Sequence, residues 1–217
     1  MTLETATGLV LRTRPLTETS LIVQWLTPNL GRLATVAKGA RRPKSPFHGK
    51  LDLFYLGEFS FNRSQWSDLH QLREVKLLET HAPIRKDLGC LQQACYCAAL
   101  VEQTTETETP LLVVFDLMRD LLSYLLPAPT RPQTVLAFEL RLLNELGLAP
   151  DLRKTHLTRG SREIVRLLET SSWSGISRLK LSSAQTSELG DYLHGFLLYH
   201  LGKIPRGRDQ ALGAAPS

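Results

Sequence analysis

The residues best suited to chemistry in this chain are cations. Lys38, Arg41, Arg42 and Lys44 place four positive charges within seven residues, and no Asp or Glu occurs between Glu18 and Asp52. Gly39 and Pro43 make the stretch a shaped loop, not the continuation of a helix or strand. Cations on a loop held by a sheet suit the binding of phosphate groups. The bland alternative is a solvated basic turn, which most charge runs are; the acid-free flank weighs against it. Arg12, Arg14, Arg32, Lys50 and Arg63 extend the candidate phosphate-binding set through the first third of the chain.

Other chemistries find less support. Cys90, Cys95 and Cys97 fall within eight residues, but zinc sites want paired Cys-x-x-Cys ligands. On one helix Cys95 and Cys97 stand about 200° apart, so they cannot share an ion; buried thiols are the better reading. The histidines at 48, 70, 81, 156, 194 and 200 are scattered. There is no Gly-x4-Gly-Lys-Ser/Thr loop, no Gly-x-Gly-x-x-Gly turn and no Gly-x-Ser-x-Gly elbow. Glu102, Glu106 and Glu108 form an acidic run at a helix end, without the convergent carboxylates a two-metal nuclease needs. We therefore expect no enzyme, no cofactor and no metal.

Composition agrees with an anionic partner. The 217 residues carry a formal charge of +5 with a pI near 9.3. Residues 1–80 hold 11 Lys or Arg against 7 Asp or Glu, so most of the excess lies there. Hydrophobic content of 42% is enough for a core without disulfides. An odd, clustered cysteine count, no basic-then-apolar leader at Met1–Glu4 and no apolar run near the ~18 residues of a membrane span predict a cytoplasmic protein.

The elements that must position the cations are short strands. Residues 8–14, 19–27 and 32–38 read as strands, the last two joined by a Pro28-Asn29-Leu30-Gly31 turn. Residues 50–63 alternate apolar Leu51, Leu53, Tyr55, Phe59 and Phe61 with polar positions, and a break is expected at Gly57. Residues 66–78 form a weaker fifth strand. Five short strands without an intervening long helix predict a small closed barrel of the oligonucleotide-binding type over residues 1–80. Trp25, Phe47, Tyr55, Phe59, Phe61 and Trp66 lie in it. Most must fill its interior, and Phe47 and Trp66, beside turns, are the candidates for stacking on a base.

From Ile84 the periodicity becomes helical, with Leu88, Leu91, Cys95, Ala98 and Val101 on one stripe. Further helices are predicted over 111–126, ended by Pro127-Ala128-Pro129, and over 134–146, capped by Gly147. A short one follows over 161–169. A last one begins with a Ser182/Gln185 capping box and carries Leu189, Tyr192, Leu193, Phe196, Leu197 and His200 inward. The fold class is thus α+β, with a helical domain over 83–208 and a disordered tail over 209–217.

Gly8-Leu9-Val10-Leu11-Arg12, Glu18-Thr19-Ser20, Thr27-Pro28-x-x-Gly31 and above all Ala37-Lys38-Gly39-Ala40-Arg41-Arg42-Pro43-Lys44-Ser45 resemble the N-terminal part of the bacterial recombination mediator family RecO. Phe138-Glu139-Leu140-Arg141-Leu142-Leu143 with Gly147-Leu148-Ala149-Pro150-Asp151-Leu152 resembles its helical segment. The resemblance implies binding of single- and double-stranded DNA, strand annealing, and a complex with RecR that helps RecA displace single-strand binding protein. It also implies docking of that protein's acidic C-terminal tail on the helical domain. Many members carry a four-cysteine zinc ribbon after the Ala-Pro-Asp-Leu segment. Here Arg153–Gly160 contains no cysteine, so no zinc is expected. Pro205-Arg206-Gly207-Arg208 replaces a Lys-Ser-Arg stretch common in the family. Two other readings stay open: a protein-binding adaptor built on the helical domain, and an RNA-binding barrel.

Overall fold

The computed structural model describes residues 2–126 and 130–213. The predicted helix stop at Pro127-Ala128-Pro129 and the tail residues 214–217 lie outside them. Strands β1 (Leu3–Pro15), β2 (Leu21–Thr27), β3 (Gly31–Ala37), β4 (Leu56–Asn62) and β5 (Leu69–Glu79) precede helices α1 (Leu88–Thr104), α2 (Leu112–Leu125), α3 (Pro132–Glu145), α4 (Arg159–Thr170), α5 (Trp173–Arg178), α6 (Ser183–Leu201) and α7 (Arg208–Ala211). Two compact units result: residues 1–82 with 105–119, and 83–104 with 120–217. The segment 105–119, read from the sequence with the helices, thus packs with the strands.

The strands close into a barrel in the order β1-β2-β3-β5-β4. β1 is longer than the alternation at 8–14 suggested, because it serves two partners. Its first half pairs with β4 (Leu3 opposite Asn62, Leu9 opposite Leu56) and its second half with β2 (Leu9 opposite Leu26, Pro15 opposite Leu21). A register shift between Val10 and Arg12 marks the crossover; a bulge of this kind bends a strand and increases its twist. Closure is completed by the parallel pairing of β3 with β5, Ala34 opposite Leu69 and Val36 opposite Gln71.

Residues 51–55 are not the start of β4, as their alternation suggested. They turn back onto β1. Phe54 N–H donates to Val10 O and Val10 N–H to Tyr55 O, both at 2.9 Å. Phe54, outside the apolar stripe read from the sequence, is fully buried with φ +63°, and its carbonyl bonds His81 Nδ1 at 2.7 Å. The interior is filled by Val10, Val23, Leu33, Leu72 and the rings of Trp25, Phe59 and Phe61. Trp25 stacks on Phe59 with centroids 4.1 Å apart, and its Nε1–H donates to Thr35 Oγ1 at 2.9 Å. That bond satisfies the one polar atom the indole brings inside.

The Thr27–Gly31 turn is built by side chain and backbone together. Thr27 Oγ1 accepts from Leu30 N–H at 3.1 Å and donates to Gly31 O at 2.8 Å. Gly31 has φ +66°, and a Cβ there would stand 1.9 Å from Thr109 O. The chain segment 105–111 lies directly over it. Glu108 N–H donates to Arg32 O and Leu111 N–H to Pro28 O, both at 3.0 Å.

In the helical unit α3 is buried over most of its surface, from Gln133 to Leu140 and at Leu142 and Leu143. On α1 the buried face runs through Cys90, Ala94, Tyr96, Cys97, Leu100 and Val101, whereas Leu88 is exposed. Of the stripe read from the sequence, Ala98 and Val101 are buried, Leu91 and Cys95 are half-buried and Leu88 is exposed. Asp87 Oδ1 accepts from Cys90 N–H at 2.8 Å and starts this helix. Cys90 and Cys97 are buried and Cys95 is partly covered; burial, then the Asp87 charge, pushes the Cys90 thiol up to about 11. The α6 capping box is present, with Gln185 N–H to Ser182 Oγ at 3.2 Å and Ser182 N–H to Gln185 Oε1 at 2.9 Å. Leu189, Leu193 and Leu197 are its buried row. Tyr192 and Phe196 are only half-buried and His200 is exposed, a correction to the inward face proposed for it.

The chain expected to be a disordered tail from 209 instead carries α7, which is locked by charge. Arg208 forms a two-pronged pair with Glu139, Nε to Oε1 at 2.7 Å and Nη2 to Oε2 at 2.9 Å. Tyr96 Oη donates to Glu139 Oε1 at 2.5 Å. Burial first, and then the Glu139 charge, drive the Tyr96 hydroxyl far above its ordinary value, so it remains a donor.

Two outcomes follow from this packing. Gly31→Ala, strained by roughly 1–2 kcal/mol at positive φ alone and colliding with Thr109, will speed hydrogen exchange at the Glu108 amide. Arg208→Ala will leave the buried Glu139 carboxyl without its guanidinium partner. It will destabilise the helical unit by about 3–5 kcal/mol in denaturant unfolding.

Candidate nucleic-acid interface

The basic stretch occupies the loop that leaves β3 at Ala37 and runs to Lys50. Successive turns give it its shape: Ala40 N–H to Ala37 O, Arg42 N–H to Gly39 O, Ser45 N–H to Arg42 O, His48 N–H to Ser45 O and Lys50 N–H to Phe47 O, at 3.0–3.3 Å. Gly39 and Gly49 both have φ +70°, a conformation that favours glycine at such reversals. Phe47 enters the barrel core and is 6% exposed. It is thus the anchor of the loop, not the stacking surface proposed from its place beside a turn. The other anchor is the β1–β2 connection: Arg41 N–H donates to Thr19 O at 3.0 Å and Arg41 Nη1 to Thr17 O at 3.3 Å.

Lys38, Arg41, Arg42 and Lys44 are exposed and Lys50 is half-buried. Register places two more cations nearby. Pro15, Leu21 and Ala37 form one row across β1, β2 and β3 at the loop's root. Arg14 lies in the next row, with Ile22 and Val36, and Arg12 in the row of Gln24 and Ala34. A concavity of about 410 Å³ opens between Thr17, Ser20, Val36, Lys38 and Arg42. Lys38, Arg41, Arg42, Lys44 and Arg14 therefore belong to one end of the barrel, with Arg12 further along β1 and Lys50 at the loop's far end, two residues before Asp52.

Arg32 and Arg63 are placed elsewhere. Both stand at the opposite end of β3, about 20 Å away at ~3.3 Å per residue. Arg32 donates to the Thr105 hydroxyl at 2.9 Å and to the Thr105 carbonyl. Arg63 holds Glu4 with Nε at 2.6 Å and Nη2 at 3.0 Å, and Glu108 with Nη1 at 2.7 Å. Both side chains are thus engaged within the fold, Arg63 by two carboxylates and Arg32 by Thr105, away from the basic loop. Sequence alone had no signal for this, because the partners are 73, 59 and 45 residues away.

The cations that sequence reasoning did not single out are Arg73 and Lys76 on β5. With Lys50, Phe47, Glu58 and Glu74 they line a second concavity of about 470 Å³. Its mixed charge makes it a weaker phosphate site than the loop. Among the described residues no group of His, Cys, Asp or Glu is placed to hold a metal ion, and no helix is long and apolar enough to cross a membrane. Where a zinc ribbon was expected to be missing, Leu152–Lys154 forms a short 3-10 turn and Thr158 caps α4. Glu188 fastens that junction, accepting from Thr158 N–H at 2.7 Å and Thr158 Oγ1 at 3.0 Å and bonding the Ser161 hydroxyl.

A five-stranded barrel in this strand order, followed by helices, defines an oligonucleotide-binding-fold protein with a helical second part. Residues 1–81 match the family model "Recombination protein O N terminal", and residues 85–159 match "Recombination protein O C terminal". The chain belongs to the RecO family. It is 35% identical over 158 residues to a DNA repair protein RecO from Cyanothece sp., covering 71% of this chain and 53% of that protein. It is 35% identical over 146 residues to the DNA repair protein RecO of Anaeromyxobacter dehalogenans, covering 67% and 58%. The chain thus spans little more than half the length of these curated relatives.

The Arg63 pair carries a pH signature. The Arg63 hydrogen bond, opposed by partial burial, holds Glu4 below the usual carboxylate range. Its stabilising contribution is therefore complete above about pH 4.3 and declines as pH falls through the lower folded value. Thermal unfolding of the wild type will lose stability over that acid range, and Glu4→Gln will flatten the loss.

Proposed function

We propose that this protein acts in DNA repair and recombination by holding DNA phosphates on the loop of residues 38–50. The observation that carries the reading is the gathering of Lys38, Arg41, Arg42 and Lys44 on one anchored, acid-free loop of an oligonucleotide-binding barrel in a RecO-family chain. The curated relatives are named DNA repair proteins, which supports the same role here. Lys50, Arg14 and Arg12 extend the phosphate track. Such contacts position a strand and leave its bases unread. Two neutralised strands held side by side with bases free is the condition annealing requires. The reading includes both single- and double-stranded DNA, cooperation with RecR in loading RecA, and no catalytic step.

The adaptor reading has its own observation. A groove of about 580 Å³ between α6 and α7 is lined by Pro132, Leu181, Thr186, Gly190, His194 and Leu212. Pro132, Leu181 and Leu212 give it an apolar floor that suits a partner's apolar side chain, while Asp191 and Asp209 on its lining disfavour an acidic segment. It adds a partner to the DNA reading and does not replace it.

Four to six phosphate contacts predict a log–log salt slope of about −3 to −4 on single strands, at −0.7 per contact. Arg41→Glu with Arg42→Glu will abolish DNA binding in anisotropy titrations and flatten that slope, with the circular dichroism unchanged. Unaltered affinity would refute the loop assignment, and preference for an RNA of the same sequence would move the reading to RNA. Annealing of complementary strands, with and without single-strand binding protein, tests the role itself.

A further inference from the structure

The β4–β5 turn is rigid yet ends in an unpartnered indole. Trp66 is 94% exposed. The Trp66 backbone N–H donates to Ser64 Oγ at 3.2 Å, Ser64 Oγ meets Ser67 Oγ at 3.3 Å, and Leu69 N–H donates to Ser67 Oγ at 3.3 Å. The base of the turn is fixed from beneath. Ser64 N–H donates to Nδ1 of the buried His70 at 3.2 Å, which leaves Nε2 to bond Glu108 at 2.7 Å. His70 stacks on Phe61 at 5.3 Å, and the Arg63 guanidinium lies 5.7 Å from the same ring. The backbone that presents Trp66 is therefore ordered before any partner arrives, which lowers the cost of docking there.

The charge around it is of the opposite sign to the 38–50 loop. Asp68 is exposed on the turn itself, Glu4 and Glu108 are the partners of Arg63, and Glu106 is exposed two residues before Glu108. Arg63 balances Glu4 and Glu108, and Arg32 donates to Thr105, so the exposed Asp68 and Glu106 carry the negative charge beside the indole. A guanidinium or ammonium is attracted both by the carboxylates and by the face of the indole. Trp is also the residue type most enriched where protein partners bind tightly.

We propose that the Trp66 turn is a protein-docking point for a partner segment that presents arginine or lysine beside an apolar side chain. It is separate from the DNA-binding loop and does not depend on that loop's role.

The test uses the full chain and a fluorescein-labelled peptide of alternating arginine and leucine, titrated by anisotropy at low ionic strength. The proposal expects binding that weakens at least about tenfold in Trp66→Ala and in Asp68→Arg, with thermal unfolding unchanged because both side chains are exposed. A peptide with glutamate in place of arginine should not bind. Equal peptide affinity in wild type and both variants overturns the proposal. So does a Trp66→Ala variant that loses affinity for oligo-dT and not for the peptide, which would assign the indole to a base. A sedimentation-velocity self-association that Trp66→Ala abolishes would overturn it in favour of a second copy of the chain.

Discussion

The barrel depends on the bend in β1. One strand must pair with β4 along its first half and with β2 along its second, and only a strand that changes direction can do both. The register shift between Val10 and Arg12 makes the change, and the turn that carries the buried Phe54 bonds Val10 through both its N–H and its carbonyl. Everything that matters for function inherits its position from this. The antiparallel registers of β1 with β2 and of β2 with β3 bring their ends together in the Pro15–Leu21–Ala37 row, and the loop after Ala37 is bonded to the β1–β2 connection through Arg41. Because closure is completed by a parallel β3–β5 pair, the β4–β5 turn is carried to the far end of β3.

The barrel therefore has two ends of unlike character. At one, cations face solvent and their backbone is fixed by turns and by the buried Phe47. At the other, Arg63 is paired with Glu4 and Glu108, and Arg32 donates to Thr105. The difference is not one of composition, since both ends contain arginine. It lies in what each guanidinium finds within reach. A cation with a carboxylate at 2.6–2.7 Å, as Arg63 has, gains little by exchanging it for a phosphate. The loop residues have no acid of their own loop to leave.

Much of this was legible in the residues. Period-two alternation located β2 and β3, the Pro-Asn-Leu-Gly turn between them, and the Ser182 capping box, because each is written in neighbours a few positions apart. The basic loop was legible for the same reason. What sequence reading missed is what depends on distant partners. Local alternation at 51–55 suggested a strand, but hydrogen bonds to Val10 made a turn. Leu88 fits a helical stripe, yet the neighbours available bury Cys90 and Tyr96 instead. Arg32 and Arg63 looked like Arg41 and Arg42 until the chain 105–111 was laid across the turn at Gly31. α7 carried no helical signal of its own length; Arg208 holds it in place.

The Arg208–Glu139 pair also bears on the order in which the chain is made. Glu139 and Arg208 are 69 residues apart. During synthesis from the N-terminus, α1 and α3 emerge while the carboxylate that will lie between them still lacks its cation. A carboxylate in that state is costly to enclose, so the native packing around Glu139 requires a residue made 69 positions later. The barrel unit likewise includes residues 105–119, which follow all five of its strands.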